Sequence, residues 1–263
     1  QNNLYTHMHY FRNSSMIISD PIFYLLILLA GAFLAGIVTG ATGFAGGLIL
    51  NSFWLHIMEP NTAIPLIIIS CLLISAAPIY KLRKTLDFSK LRPFILFGVI
   101  GAPLGMLLLT LTEPNIFKTS IGIFLVAYTL WMLISNSFSI KVNENKFFDS
   151  LIGLISGLMG GFASLGGLLP TIWVSLQRLP KNTQRGTYEP MIFITSLTAL
   201  ISFYIVGLFT IQIVYDFFKI LPILMLGSWL GVKIYPLINE GLFQKIVLVL
   251  ILMSGIMLLI GAN

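Results

Sequence analysis

The sequence predicts an all-α polytopic membrane protein made of two inverted repeats, on three observations. Mean hydropathy is +0.96. With 57% hydrophobic and only 9% charged residues, the chain departs from soluble domains, in which about 25% of residues are charged. Long charge-free runs recur along it, and a glycine-rich interruption of such a run occurs twice, at corresponding places in the two halves.

A helix needs about 20 apolar residues to cross a hydrocarbon core roughly 30 Å thick. Residues 1–20 are polar, lack a cleavage-site pattern and read as a tail rather than a signal peptide. The first repeat, 21–135, opens with the charge-free run Pro21 to Met58 and continues with apolar helices over Ala63 to Tyr80, Leu91 to Leu111 and Ile116 to Ile134. A polar linker occupies 136–149. The second repeat, 150–263, opens with Ser150 to Gln177 and continues over Tyr188 to Phe209, Phe217 to Tyr235 and Leu242 to Ile260. Depending on whether the interrupted segments cross, this makes about six to eight spans.

The two interruptions are Ala35-Gly36-Ile37-Val38-Thr39-Gly40-Ala41-Thr42-Gly43-Phe44-Ala45-Gly46-Gly47-Leu48 and Ser156-Gly157-Leu158-Met159-Gly160-Gly161-Phe162-Ala163-Ser164-Leu165-Gly166-Gly167-Leu168. Glycine costs about 1 kcal/mol relative to alanine in a helix, so such density signals unwound backbone or very close packing. Unwound backbone at membrane depth is tolerated only where protein or a cavity satisfies it, and paired interruptions in two halves point to a transporter's binding site. Gly101 with Gly105, and Gly227 with Gly231, add small-xxx-small spacings for close helix approach.

Charge arbitrates the topology. If each interrupted segment dips in and returns, 12 of the 15 Lys and Arg fall on one side, with loops 81–92, 136–149 and 177–187 cytoplasmic. If each crosses fully, the split falls to 9 against 6. The first arrangement is the expected one, and it makes the halves inverted. The net charge of +6 then reports loop orientation and contact with the lipid bilayer, not nucleic-acid binding. The lone Cys71 excludes an intramolecular disulfide and suits a packed helix position.

The doubled glycine motif, the later Gly-x-x-x-Gly in each half, and the run Gly160-Gly161-Phe162-Ala163-Ser164-Leu165-Gly166-Gly167-Leu168-Leu169-Pro170 followed by Leu179-Pro180-Lys181 resemble the sulfite exporter TauE/SafE family from about Ile22 onward. The first half departs from the pattern, because Gly43-Phe44-Ala45-Gly46-Gly47 replaces a tighter glycine run and no proline follows Leu48. The resemblance implies secondary transport, across the prokaryotic plasma membrane, of a small anion such as sulfite, a sulfonate, sulfoacetate or a small carboxylate.

An anion in mid-membrane needs positive potential without a large desolvation cost, and half-helix N-termini supply it. The expected substrate site is therefore the backbone at Gly43, Gly46, Gly47, Gly161, Gly166 and Gly167, with hydroxyls from Thr39, Thr42 and Ser164. The competing reading is tight packing, with the hydroxyls bonded to their own helices. Asn51 is placed either to orient a substrate oxygen or to bridge helices, and Trp173 either to line the cavity or to anchor at the interface. Arg185 is placed either to attract the anion or to anchor the inner face. Glu189 is a candidate carrier of a coupling proton or a partner for Arg185.

No cofactor or metal is expected. Three other classes stand beside transport: a passive anion channel, a membrane scaffold and an intramembrane enzyme. The enzyme is disfavoured because His7 and His9 lie in the tail, His56 is isolated, and the aspartates fall near segment ends. Nothing in the sequence bears on oligomeric state.

Overall fold

The computed structural model describes residues 21–43, 45–82, 88–134, 145–177, 181–234 and 240–261; within these, the side chains of 76–82, 88–90, 134, 181, 182, 185, 240–244 and 246 are not described. Ten helices form among the described residues: α1 Pro21–Thr42, α2 Gly46–Trp54, α3 Pro60–Leu82, α4 Phe88–Leu111, α5 Pro114–Ile134, α6 Lys146–Ala163, α7 Leu168–Leu176, α8 Lys181–Ile205, α9 Ile211–Ile234 and α10 Glu240–Gly261. The chain is thus a polytopic membrane protein, helical throughout its regular structure among the described residues, six of whose helices there are long and apolar enough to cross a bilayer.

Local chemistry sets the helix ends. Proline opens α1, α3 and α5, where its missing N–H costs nothing and its fixed φ suits the first turn. Asn145 caps α6 by accepting the Phe147 amide at 2.9 Å. The expected segment Tyr188 to Phe209 reaches past Gly207, but α8 stops at Ile205 because Gly207 turns the chain with φ 78°. The N-terminal tail and most of the 136–149 linker lie outside the described residues.

Each interrupted segment is a helical hairpin. From the break after α1 the nine-residue α2 doubles back: Thr39 lies against Gly46, and the Trp54 indole donates to the Leu28 carbonyl at 3.2 Å. From the break after α6 the nine-residue α7 does the same, with Gly160 against Gly166 and Trp173 reaching Asp149. α2 is the more deeply enclosed, its Leu48, Ile49, Leu50 and Trp54 all 0–2% exposed.

The halves are locked by glycine. Lipid is as apolar as any side chain, so helices associate through close packing rather than hydrophobic burial. At the α4/α6 contact a methyl group on Gly101 would lie 2.8 Å from the Leu158 nitrogen, and one on Gly157 would lie 2.9 Å from Gly98 Cα. At the α1/α9 contact, a methyl on Gly36 would lie 2.8 Å from the Ser228 nitrogen, and one on Gly231 would lie 2.9 Å from Ile37 Cα. Only glycine permits these approaches. Both Gly-x-x-x-Gly pairs read from the sequence, Gly101/Gly105 and Gly227/Gly231, therefore serve close packing, and each meets backbone of the other half's interrupted segment, Gly101 at Gly157 and Gly227 at Gly36.

Contact order gives relative direction. Phe94 meets Gly153, Gly98 meets Gly157 and Ala102 meets Gly161, so α4 and α6 run the same way. Phe33 meets Gly227 and Ile37 meets Gly231, so α1 and α9 also run the same way. Gly122 faces Gly255 and Leu259 while Gly255 faces Leu125 and Val126, so α5 and α10 run oppositely. α3 packs on α8 between these pairs. Apolar side chains such as Ile100 and Leu104 on α4, Met225 and Trp229 on α9, and Met253 and Met257 on α10 remain exposed on the outside, the surface that lipid covers.

Candidate functional site

The two hairpin tips meet, Gly47 against Ser164. Both long hairpin helices end in a left-handed residue: Gly43 at φ 88° after α1, and Ser164 at φ 56° after α6. Glycine takes this conformation freely, whereas an L-residue pays about 1–2 kcal/mol. Ser164 is held there by two bonds that finish the helix, its own amide to the Gly160 carbonyl at 2.9 Å and the Leu165 amide to Met159 at 3.1 Å. The strain places a hydroxyl at the break.

Between the tips lies a cavity of about 20 Å³, room for about one water molecule. The first hairpin contributes Thr39, Gly43, Gly46 and Gly47, and the second contributes Ser164, Gly166 and Gly167. α3 adds Cys71 and Ser75, and α8 adds Ile192 and Ser196. No charged side chain lines it among the described residues.

The N-termini of α2 and α7 open onto this space. Neither has a side-chain cap: the N-cap positions are Ala45 and Gly167. A methyl group on Gly46 would displace the Thr39 hydroxyl, and Gly47 must be glycine because one there would strike the Ser164 carbonyl oxygen of the opposite hairpin. Thr39 is 6% exposed and its buried hydroxyl has no hydrogen-bond partner. That is unusual in this chain, where Ser52, Ser70, Thr129 and Thr195 each donate to the carbonyl four residues back. A buried hydroxyl left unpaired costs about 1–3 kcal/mol, and a ligand oxygen would recover it.

Of the residues expected at the site, the structure brings together Thr39, Gly43, Gly46, Gly47, Ser164, Gly166 and Gly167. Four others, Thr42, Asn51, Gly161 and Trp173, stand apart from the lining. Thr42 donates to the Val38 carbonyl at 2.8 Å and finishes α1 at the break. Asn51 is fully buried, and its amide donates to Gly47 at 2.7 Å and across the halves to Ala163 at 2.8 Å, so it bridges helices. Gly161 packs against the Ala102 carbonyl of α4. Trp173 donates to Asp149 at 2.7 Å and stacks on Phe148, which ties the far end of α7 to the start of α6. Arg185 lies on α8, with its side chain outside the described residues.

Cys71, Ser75, Ile192 and Ser196 are lining residues that motif reading passes over. Their signal was faint. Cys71 and Ser75 on α3, and Ile192 and Ser196 on α8, are one helical turn apart at corresponding places after the two motifs. Away from the cavity, fully buried Asp216 on α9 accepts from Tyr24 of α1 at 3.0 Å and from Gln212 at 3.0 Å, and pairs with Lys219 at 2.8 Å.

The sequence matches the sulfite exporter TauE/SafE family over residues 28–258, nearly all of the chain, from within α1 to within α10. The chain belongs to the sulfite exporter TauE/SafE family. No curated protein and no solved structure matches it. As a TauE/SafE member it is a membrane transporter, and the meeting point of its hairpins is the candidate place for an anion.

Proposed function

We propose that this TauE/SafE protein is a secondary transporter that moves a small anion, of the sulfite, sulfonate, sulfoacetate or small-carboxylate class, across the plasma membrane by alternating access. The observation that carries the reading is the cavity where the N-termini of α2 and α7 converge beside the unpartnered Thr39 hydroxyl. Backbone N–H groups at Gly46, Gly47, Gly166 and Gly167, with hydroxyls from Thr39 and Ser164, bind the anion. The helix ends provide positive potential without the desolvation cost of a buried cation.

The two halves act as inverted repeats. The shared direction of α4 with α6 and of α1 with α9, and the opposed α5 and α10, agree with a two-fold axis lying in the membrane plane. Each hairpin then enters and leaves on one side, with loops 81–92, 136–149 and 177–187 cytoplasmic. A space for about one water is too small for a sulfonate, which supports gated passage over an open pore. Rocking of one half against the other exposes the site to each side in turn. Arg185 attracts the anion at the cytoplasmic entrance, and a proton or cation couples the cycle, with buried Glu189 as a proton carrier.

Proteoliposomes loaded with unlabelled sulfite and assayed for labelled sulfite counterflow test this reading. Wild type should show counterflow, and Thr39→Val should lose at least tenfold in flux with no loss of stability. A Thr39→Val protein with wild-type flux would remove the site assignment. Downhill leak without counterflow would replace the transporter with a channel.

A further inference from the structure

We propose that the cavity selects singly charged oxoanions over doubly charged ones of the same size; this rests on the transport reading above and adds the charge of the species carried. The two half-helices are matched at nine residues each, and both N-termini reach the cavity uncapped by side chains. Each helix N-terminus is equivalent to roughly +0.5 of an elementary charge. Two of them offset one negative charge.

Among the described residues no second counter-charge lines the cavity. Thr39, Ser75, Cys71, Ser164 and Ser196 supply only neutral groups, and among the described residues nothing charged lines the cavity. Glu189, buried on α8 one helical turn before Ile192, is acidic and adds no positive charge. A second negative charge would thus be buried without compensation, which interiors penalise heavily. The hydroxyls fit the same conclusion. The Thr39 hydroxyl, buried and unpartnered, and those of Ser75 and Ser196 can each donate to an anion oxygen or accept from a protonated one. A cation would only donate. The lining therefore suits an anion that keeps a proton or carries a non-ionising substituent.

The test uses the full chain in proteoliposomes, with labelled sulfite counterflow competed by methanesulfonate and by sulfate. These two are close in size, and at working pH the first carries one charge and the second two. Methanesulfonate should compete on the order of 100-fold better, the scale expected for one uncompensated charge in a poorly screened site. Apparent affinity for total sulfite should also fall with rising pH above its second ionisation, about tenfold per unit, while that for methanesulfonate stays level. Sulfate competing as well as methanesulfonate, or sulfite affinity rising with pH, overturns the charge selection and leaves transport standing. Absence of counterflow together with absence of any anion-induced thermal shift overturns the transport reading itself, and the charge selection with it.

Discussion

Gly160 and Gly161 are neighbours in one motif, and alanine at each should act with opposite sign. A methyl group on Gly161 would fall on the Ala102 carbonyl oxygen and lie 2.9 Å from the Met106 nitrogen. Both are backbone atoms of α4, so relief requires the α4/α6 pair to separate. Overpacking of this kind costs about 1–3 kcal/mol, against a gain of about 1 kcal/mol from replacing glycine by alanine in a helix. The net expectation is a loss of up to about 2 kcal/mol. A methyl on Gly160 meets nothing nearer than Gly166 Cα at 3.5 Å, an ordinary contact, so the propensity gain survives and the variant should be neutral to about 1 kcal/mol more stable. For a chain of this size, 1 kcal/mol moves Tm by about 2–4 °C. Thermal unfolding of the detergent-purified proteins, followed by monodispersity on a sizing column, reads the difference. A Gly161→Ala protein at least as stable as Gly160→Ala would refute glycine-mediated locking of the halves.

Three further outcomes are expected. Ser164→Gly should relieve the left-handed strain and raise stability by up to about 1 kcal/mol, yet lower anion flux; a drop in Tm would show that the strain is absent. Asn51→Leu strips its bonds to Gly47 and Ala163 and should cost about 2–4 kcal/mol, whereas unchanged Tm would mean that the bridge contributes nothing. His56 lies in the connection between α2 and α3, bonded to Ser254 at 3.2 Å, and burial, aided by Lys118, holds its imidazole below the ordinary 6.5. The unfolded chain therefore takes up a proton first as pH drops below about 6.5. Wild-type stability should fall through that window, and His56→Gln should flatten the fall; parallel curves would exclude His56 as its source.

Much of the architecture was legible in the sequence because membrane helices obey length and hydropathy. The break points were legible for a related reason: glycine at such density has few uses in hydrocarbon. What the residues did not reveal was how the glycines divide. Gly36, Gly40, Gly157 and Gly161 meet backbone of the other half, Gly43, Gly46, Gly166 and Gly167 surround the cavity, and Gly47 does both. Both uses demand a missing side chain, and only the partner's position separates them. Asn51 shows the same degeneracy, since a buried amide reads alike whether it faces a substrate or a carbonyl of the opposite hairpin. Cys71 reads as a packing residue until α3 is seen to face the hairpin tips. Trp173 follows the second motif much as Asn51 follows the first, but it is turned toward Asp149 by a hydrogen bond that spans 24 positions, beyond any local pattern.

The most direct measurement uses the chain's single cysteine, because Cys71 lines the cavity and needs no engineering to report on it. A small methanethiosulfonate reagent applied from either side of oriented proteoliposomes should label Cys71 slowly. An anion that the protein carries should slow labelling further, in proportion to its apparent affinity in the flux assay. Labelling from both sides with graded protection is the result predicted for an anion site between the hairpin tips that opens alternately to each side. Labelling at a rate unchanged by saturating concentrations of a transported anion would place the substrate elsewhere and contradict it.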